Sequence, residues 1–119
     1  MAAFRPDLLP PVNAVEVRVL RRGNPILAAE DAAARIADLW RRLPPGRQAR
    51  CHNPTYELRF RVGGEMVCVG TVCWECNNIH GTADGEPFAY EFDASAPASQ
   101  SLLAEVRRVA SGGTDTEPA

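Results

Sequence analysis

The sequence predicts an α+β fold with the element order β-α-β-β-β-α, in which a four-stranded, mainly antiparallel sheet carries two helices on one face. Three observations support this prediction. Two stretches carry apolar residues at helical spacing, four short stretches are typical of strands, and a Gly-Gly pair separates the two central strands. The predicted domain spans residues 14–110, between an irregular, proline-rich segment at 1–13 and a disordered tail at 111–119.

The first strand and the first helix follow from the spacing of apolar residues. Residues 15–19 alternate between apolar and charged side chains, which gives a strand with one apolar and one charged face. Over residues 28–43 the apolar side chains recur at intervals of three and four, as on one side of a helix, and Pro-Pro-Gly at 44–46 ends that pattern. Trp40 lies on the apolar side of this helix, and we expect it in the core.

The two central strands, 56–62 and 66–72, are predicted to form a hairpin around the Gly-Gly pair at 63–64, because glycine accepts the positive φ angles of a two-residue turn. Extending the strand pairing outward from this turn places Cys51 opposite Cys76 at the open end of the hairpin. A bulge would shift the pairing by one residue. We therefore expect the sulfur atoms of these two cysteines within reach of one disulfide or one metal ion.

The same pairing assigns side chains to the two faces of the sheet. Leu58 and Val69 share the face that we expect beneath the helices. Met66, Cys68 and Trp74 then fall on the outer face, which is unusual for a sheet surface exposed to water. Such a face predicts contact with a protein partner or a homodimer, as in an inhibitor or immunity-type protein; partial cover by the proline-rich N-terminal segment is the alternative.

The last strand and the last helix complete the predicted domain. After a polar turn at 81–87, aromatic residues alternate with other side chains along 88–93, which predicts a strand with an aromatic face. Ser-Ala-Pro at 95–97 is typical of a helix start, and apolar residues at helical spacing continue to residue 110. A Ser-Gly-Gly sequence at 111–113 ends this helix.

Composition limits the classes of function. The formal net charge of the 119 residues is −2, whereas nucleic-acid-binding domains are normally basic. No apolar run approaches the roughly 20 residues that span a bilayer, and the N-terminus has no pattern of a secretory signal. We therefore expect a cytoplasmic protein without nucleic-acid or membrane partners. All 13 basic residues are arginine, which, with abundant Ala, Gly and Pro, indicates a GC-rich bacterial genome.

The cysteines and histidines are the candidate site. Cys73 and Cys76 form a CxxC, a spacing used by thioredoxin-like redox sites and by one half of many zinc sites. Cys51 would be a third thiolate ligand of zinc, and His52 or His80 would complete a tetrahedral structural site. Positions three apart in a regular strand point to opposite faces, so this use requires a turn or a bulge near Trp74-Glu75, after the first CxxC cysteine. The Asn-Asn pair that follows the motif is compatible with such a turn.

Several functions remain open on these residues. The first is a small protein with a structural metal, most simply zinc, and the second is the interaction module on the outer face. The third is a thiol redox protein that uses the CxxC, although no helix is predicted directly after the motif to stabilise its thiolate. Thiols without special chemistry are a further alternative. No signature of an oxyanion site or catalytic pocket is present, so the sequence favours a protein that is not an enzyme and assigns no catalytic residue.

Three motifs of this region together resemble a group of short bacterial proteins without assigned function. These motifs are Cys-His-Asn-Pro at 51–54, Leu-Arg-Phe at 58–60 and Cys-Trp-Glu-Cys-Asn at 73–77. The resemblance covers roughly residues 50–80 and is weaker in the flanking helices. It implies that the motifs occur together, and it implies no activity.

Overall fold

The structure, a computed structural model that describes residues 4–112, confirms the α+β class. All strand pairs of its single sheet are antiparallel. The strands are β1 (Ala14–Val19), β2 (Ile26–Leu27), β3 (Tyr56–Val62), β4 (Glu65–Cys73), β5 (Asn78–Ala83) and β6 (Glu86–Glu91). The helices are α1 (Glu30–Arg41) and α2 (Pro97–Ala110), preceded by one 3-10 turn at Pro6–Leu8.

Within the described residues the sheet has six strands, in the order β2-β1-β3-β4-β5-β6, and the prediction of four was wrong. β2 contains only two residues, too few to show a strand period. β5 was missed because residues 81–87 were assigned to a polar turn, and the second half of this strand falls in that range. Its backbone is fixed instead by pairing with β4 on one side and β6 on the other, an effect of the tertiary fold that composition does not show.

The predicted boundaries of the domain can be compared with these elements. The first strand begins at Ala14, and the segment predicted to be irregular before it contains the short 3-10 helix. The predicted tail from residue 113 onward lies outside the described residues. No helix in the described part of the chain has both the length and the apolar character needed to cross a membrane.

The two helices pack side by side against one face of the sheet and enclose a single apolar core. Trp40 of α1 is fully buried, as predicted, and its ring lies 4.8 Å from that of Phe60 between ring centroids. Gly70 makes room for this indole, because a Cβ there would lie only 3.0 Å from the Trp40 Cη2 atom. The fully buried side chains of this core include Val15, Val17, Ile36, Leu58, Val72, Ile79, Phe92, Leu102 and Val106.

The hairpin between β3 and β4 has the predicted turn but a shifted pairing. Gly63 and Gly64 both have positive φ, 58° and 89°, as a two-residue hairpin turn requires. Phe60 pairs with Cys68 although the residue after it pairs with Met66, so Val67 is the extra residue of a β-bulge.

The bulge exchanges the faces of β4 relative to β3, because side chains alternate along a strand. Leu58 is buried beneath the helices as predicted, and its partner in β4 is Gly70. Val69, which was expected on the same face, instead lies on the opposite face and is only half-buried. We call the side of the sheet away from the helices the open face.

Charged side chains cover the β1–β3 half of the open face and neutralise one another. Glu57 accepts hydrogen bonds from the guanidinium groups of Arg18, at 3.1 Å, and Arg59, at 2.8 Å. Arg61 reaches Glu16 at 3.4 Å on the same face. Burial by itself would raise the pKa of Glu57, but the two arginine hydrogen bonds outweigh it and hold that pKa below its ordinary value.

Candidate functional site

The chemically active side chains gather on the open face, at the end of the sheet where β4 leads into β5. Cys51, His52, Cys73, Cys76 and His80 lie together here, and we call them the cysteine–histidine cluster. Cys51 and His52 come from the irregular stretch before β3, Cys73 ends β4, Cys76 lies in the turn at 74–77, and His80 lies in β5. The structure therefore brings together the five residues selected from the sequence.

A disulfide joins Cys51 to Cys76, with 5.5 Å between their Cα atoms, so the predicted proximity of the two sulfur atoms is confirmed. Neither cysteine belongs to a strand, and the approach comes from an irregular segment and a turn instead of from the strand pairing. The two ends of the bond differ in access to solvent. Cys51 is exposed, whereas Cys76 is only 4% exposed.

The segment that carries Cys51 is held on the sheet by side-chain hydrogen bonds. Asn78 of β5 donates its amide to the Cys51 carbonyl oxygen at 2.8 Å and accepts from His52 Nδ1 at 2.7 Å. His52 Nε2 lies 2.8 Å from the hydroxyl oxygen of Thr71, and that hydroxyl donates to the His80 carbonyl oxygen at 3.1 Å. Asn78 thus contacts Cys51 and His52, two consecutive residues of the irregular stretch before β3, and fixes its position. We call this stretch the docked segment.

Cys73 is a free thiol beside the disulfide. Its sulfur accepts the backbone N–H of Cys76 at 3.0 Å, and its thiol donates to the Asn53 carbonyl oxygen at 3.4 Å. The residue is only 2% exposed, yet it lines a small open cavity of about 230 Å³ together with Tyr56 and Arg107. The turn required after Cys73 is present.

The turn at 74–77 is closed by a backbone hydrogen bond from Asn77 N–H to the Trp74 carbonyl oxygen at 3.3 Å. Asn77 has a φ of 49°, in the left-handed region that asparagine tolerates better than most residues. The sequence-based interpretation of the Asn-Asn pair is thereby confirmed. This geometry returns the chain from β4 to β5 and places Cys76 next to Cys73.

The two histidines of the cluster stack on each other. The ring centroids of His52 and His80 are 3.8 Å apart, and the planes are inclined by 19°. Burial, with a smaller contribution from the neighbouring His52, lowers the pKa of His80 below its ordinary value. The neutral form of His80 therefore suits this packing.

The predicted outer face needs correction at two of its three residues. Cys68 is 2% exposed and lies in the core opposite Phe60, because the bulge turns it inward, and burial raises the pKa of its thiol to about 12. Trp74 packs near α2 and donates its indole N–H to the Ser99 carbonyl oxygen at 2.9 Å. Met66 is exposed, at 39%. A contact with a partner or a second copy remains a prediction, without this surface to support it.

The predicted zinc ligands do not fit a metal in the disulfide-bonded form. Two of the three thiolates, those of Cys51 and Cys76, are consumed by the disulfide. Both ring nitrogens of His52 already have hydrogen-bond partners. Within residues 4–112 no group of three or more His, Cys, Asp or Glu side chains is arranged to hold a metal ion.

Sequence reasoning missed the residues that hold the cluster in place. Thr71 and Asn78 bind His52, and Asn53 binds Cys73 through its backbone oxygen. The signal available was Asn78, the second asparagine after the CxxC motif, which was interpreted only as a turn residue.

Protein-family models, curated proteins and solved structures gave no match to this chain. The functional argument therefore depends on the geometry of the cluster.

Proposed function

We propose that this protein performs thiol–disulfide exchange through the Cys51–Cys76 disulfide, with a dithiol or disulfide of another molecule as its redox partner. The observation that carries the proposal is the unequal solvent exposure of the two bonded residues, with Cys51 exposed and Cys76 buried. Exchange proceeds by attack of a thiolate on one sulfur of a disulfide, and an exposed sulfur is the one that an external thiolate reaches.

The exchange can be written with its atoms and electrons balanced. A thiolate of an external dithiol attacks the Cys51 sulfur, a mixed disulfide forms, and Cys76 leaves as a thiolate with the electron pair of the broken bond. The second thiolate of the donor then attacks the donor sulfur in the mixed disulfide and releases Cys51. The donor is oxidised to a disulfide, and the protein gains two thiols.

The predicted cytoplasmic location gives separate support. Disulfides of cytosolic proteins are usually transient and are used in catalysis or redox sensing, because the compartment keeps structural thiols reduced. A disulfide with one exposed cysteine matches that use. The competing role is a permanent staple that fastens the segment before β3 to the turn at 74–77.

The zinc role predicted from the sequence then belongs to the reduced chain. Reduction would free the thiols of Cys51 and Cys76 beside Cys73, which together are the three thiolates of the predicted site. Zinc binding by the reduced protein would compete with reoxidation, since thiolates bound to metal are withheld from the disulfide. This zinc-bound state is a second use of the same residues, favoured by the closeness of the third cysteine.

The test is a redox titration of the folded protein. Samples are equilibrated in glutathione buffers of graded potential, quenched with acid and alkylated, and the number of free thiols is read from the intact mass. Circular dichroism checks that the protein stays folded. We expect two thiols to appear together in one transition in the wild type and in a Cys68→Ser control, provided that the control folds. A disulfide that stays intact in the folded protein below about −300 mV would instead identify a structural bond.

A further inference from the structure

We propose that Cys73 is a second, internal nucleophile of this site, which displaces Cys51 by forming a Cys73–Cys76 disulfide. The inference rests on the proposed exchange function and adds a step to it. The protein would then hold two alternative disulfides, one linking distant segments and one within the CxxC motif. Interconversion of the two exposes or conceals the Cys51 thiol.

The position of the Cys73 sulfur carries this proposal. It lies 3.0 Å from the backbone nitrogen of Cys76, and that nitrogen is attached to the same Cα as the side chain of Cys76. The turn at 74–77 makes this approach possible by reversing the chain within the motif. Cys73 is thus the thiol next to the disulfide, while Cys68 is held in the core at Phe60.

The surroundings of Cys73 suit a nucleophile. The Cys76 N–H that points at its sulfur would stabilise negative charge there, as hydrogen bonds donated to an anion do. The Asn53 carbonyl oxygen holds the thiol proton before reaction. Cys73 is only 2% exposed, but it lines a cavity of about 230 Å³ that has room for a water molecule to accept the thiol proton.

The step is an isomerisation and needs no oxidant or reductant. The Cys73 thiol gives its proton to water, and the resulting thiolate attacks the sulfur of Cys76. A Cys73–Cys76 bond forms as the Cys51–Cys76 bond breaks, and the electron pair of the broken bond leaves with Cys51. Cys51 takes a proton from water or remains a thiolate, exposed at the surface and ready to attack a disulfide of the redox partner.

The chain contains arginine but no lysine, so cleavage after basic residues occurs only at arginine and gives a direct assay. Cleavage after arginine yields one peptide of residues 51–59, which contains Cys51, and another of residues 62–107, which contains the other three cysteines. In the starting protein the disulfide links these two peptides. After the internal exchange they separate, and the first carries a free thiol.

The experiment treats the folded, oxidised protein with N-ethylmaleimide in the absence of reductant and follows the two peptides by mass spectrometry. We expect the 51–59 peptide to be released with one label, while Cys73 and Cys76 stay unlabelled and bonded to each other. Cleavage after Glu75 locates that new bond, because it splits the motif between its two cysteines. Wild-type protein whose Cys51 is never labelled would overturn the proposal.

Two variants separate this step from the exchange with external thiols. Cys73→Ser should lose the labelling of Cys51, whereas Cys68→Ser should keep it; equal labelling in Cys73→Ser and the wild type would contradict the inference. Cys73→Ser should still be reduced by glutathione, so a failure of the internal step leaves the external exchange measurable. If Cys73→Ser does not fold, the Cys51→Ser variant is used instead. Treatment with oxidised glutathione should then form the Cys73–Cys76 disulfide in that variant. If Cys73 and Cys76 stay reduced there, the proposal is overturned.

Discussion

Different interactions stabilise the structure on the two faces of the sheet. Beneath the helices, apolar side chains such as Phe60 and Trp40 pack without access to water. On the open face, the docked segment is fixed by Asn78, by His52 and by one disulfide. Burial of apolar area is not directional, whereas a hydrogen bond or a disulfide fixes particular atoms. We therefore expect that the open face can change its bonding without unfolding the core.

The largest test of this difference compares two truncations of the central hairpin. Phe60→Ala should lower the free energy of unfolding by about 3–5 kcal/mol, because it leaves a cavity in the packed core. Val69→Ala, in the neighbouring strand but on the open face, should lower it by less than about 1 kcal/mol. Denaturant unfolding measures both. Similar losses in the two variants would show that the open face is packed as firmly as the core.

The second test removes the disulfide. Breaking the bond between Cys51 and Cys76, which are 25 residues apart, should lower the free energy of unfolding by about 3–4 kcal/mol, since the unfolded chain regains the entropy of the closed loop. A Cys51→Ser/Cys76→Ser variant and the reduced wild type should agree in denaturant unfolding, while helix content by circular dichroism stays unchanged. Loss of the helices on reduction would mean that the core depends on the open face.

A smaller effect is expected from the asparagine that holds the docked segment. Asn78→Ala removes the side-chain hydrogen bonds to Cys51 and His52 and leaves polar groups unpaired, which should cost about 1–3 kcal/mol. It should also speed the alkylation of Cys73, because the segment that covers this thiol is released. Thr82→Ala, at an exposed position of the same strand, is the control and should change stability by less than about 0.5 kcal/mol.

The smallest effect is the dependence of stability on pH at the stacked histidines. The pKa of His80 is lower in the folded protein than its ordinary value of 6.5. Between these two pKa values, His80 is therefore protonated in the unfolded chain and neutral in the folded chain. The free energy of unfolding should therefore fall as the pH decreases from neutral through about 6.5, and level off below the lowered pKa. His80→Ala should flatten this slope in thermal melts. An unchanged slope would assign the effect to another group.

The sequence was informative where periodicity decides the structure and uninformative where single contacts do. Trp40 was correctly placed in the core, because the helical spacing of apolar residues identifies the buried side of a helix without knowledge of individual contacts. Val69 was assigned to the wrong face because one bulged residue, Val67, reverses the alternation for the rest of the strand, and no local signal marks it.

The site shows the same division. The closeness of Cys51 and Cys76 was predicted by extending the strand pairing, and it holds although an irregular segment and a turn make the contact instead of paired strands. The docking of His52 was not predicted, since it depends on its hydrogen bonds with Thr71 and Asn78 across the fold. The disulfide between Cys51 and Cys76 depends on their spatial arrangement, which their spacing in the sequence does not contain.

The disulfide also determines how the chain would respond to mechanical force. If the molecule were pulled from its two ends, tension would pass directly between Cys51 and Cys76, and the 25-residue interval between them would stay slack. At about 3.3–3.6 Å per extended residue, this conceals about 85 Å of contour length. A bond between Cys73 and Cys76 would conceal only about 10 Å. The stretched length of one molecule would thus report which pair of sulfur atoms is joined.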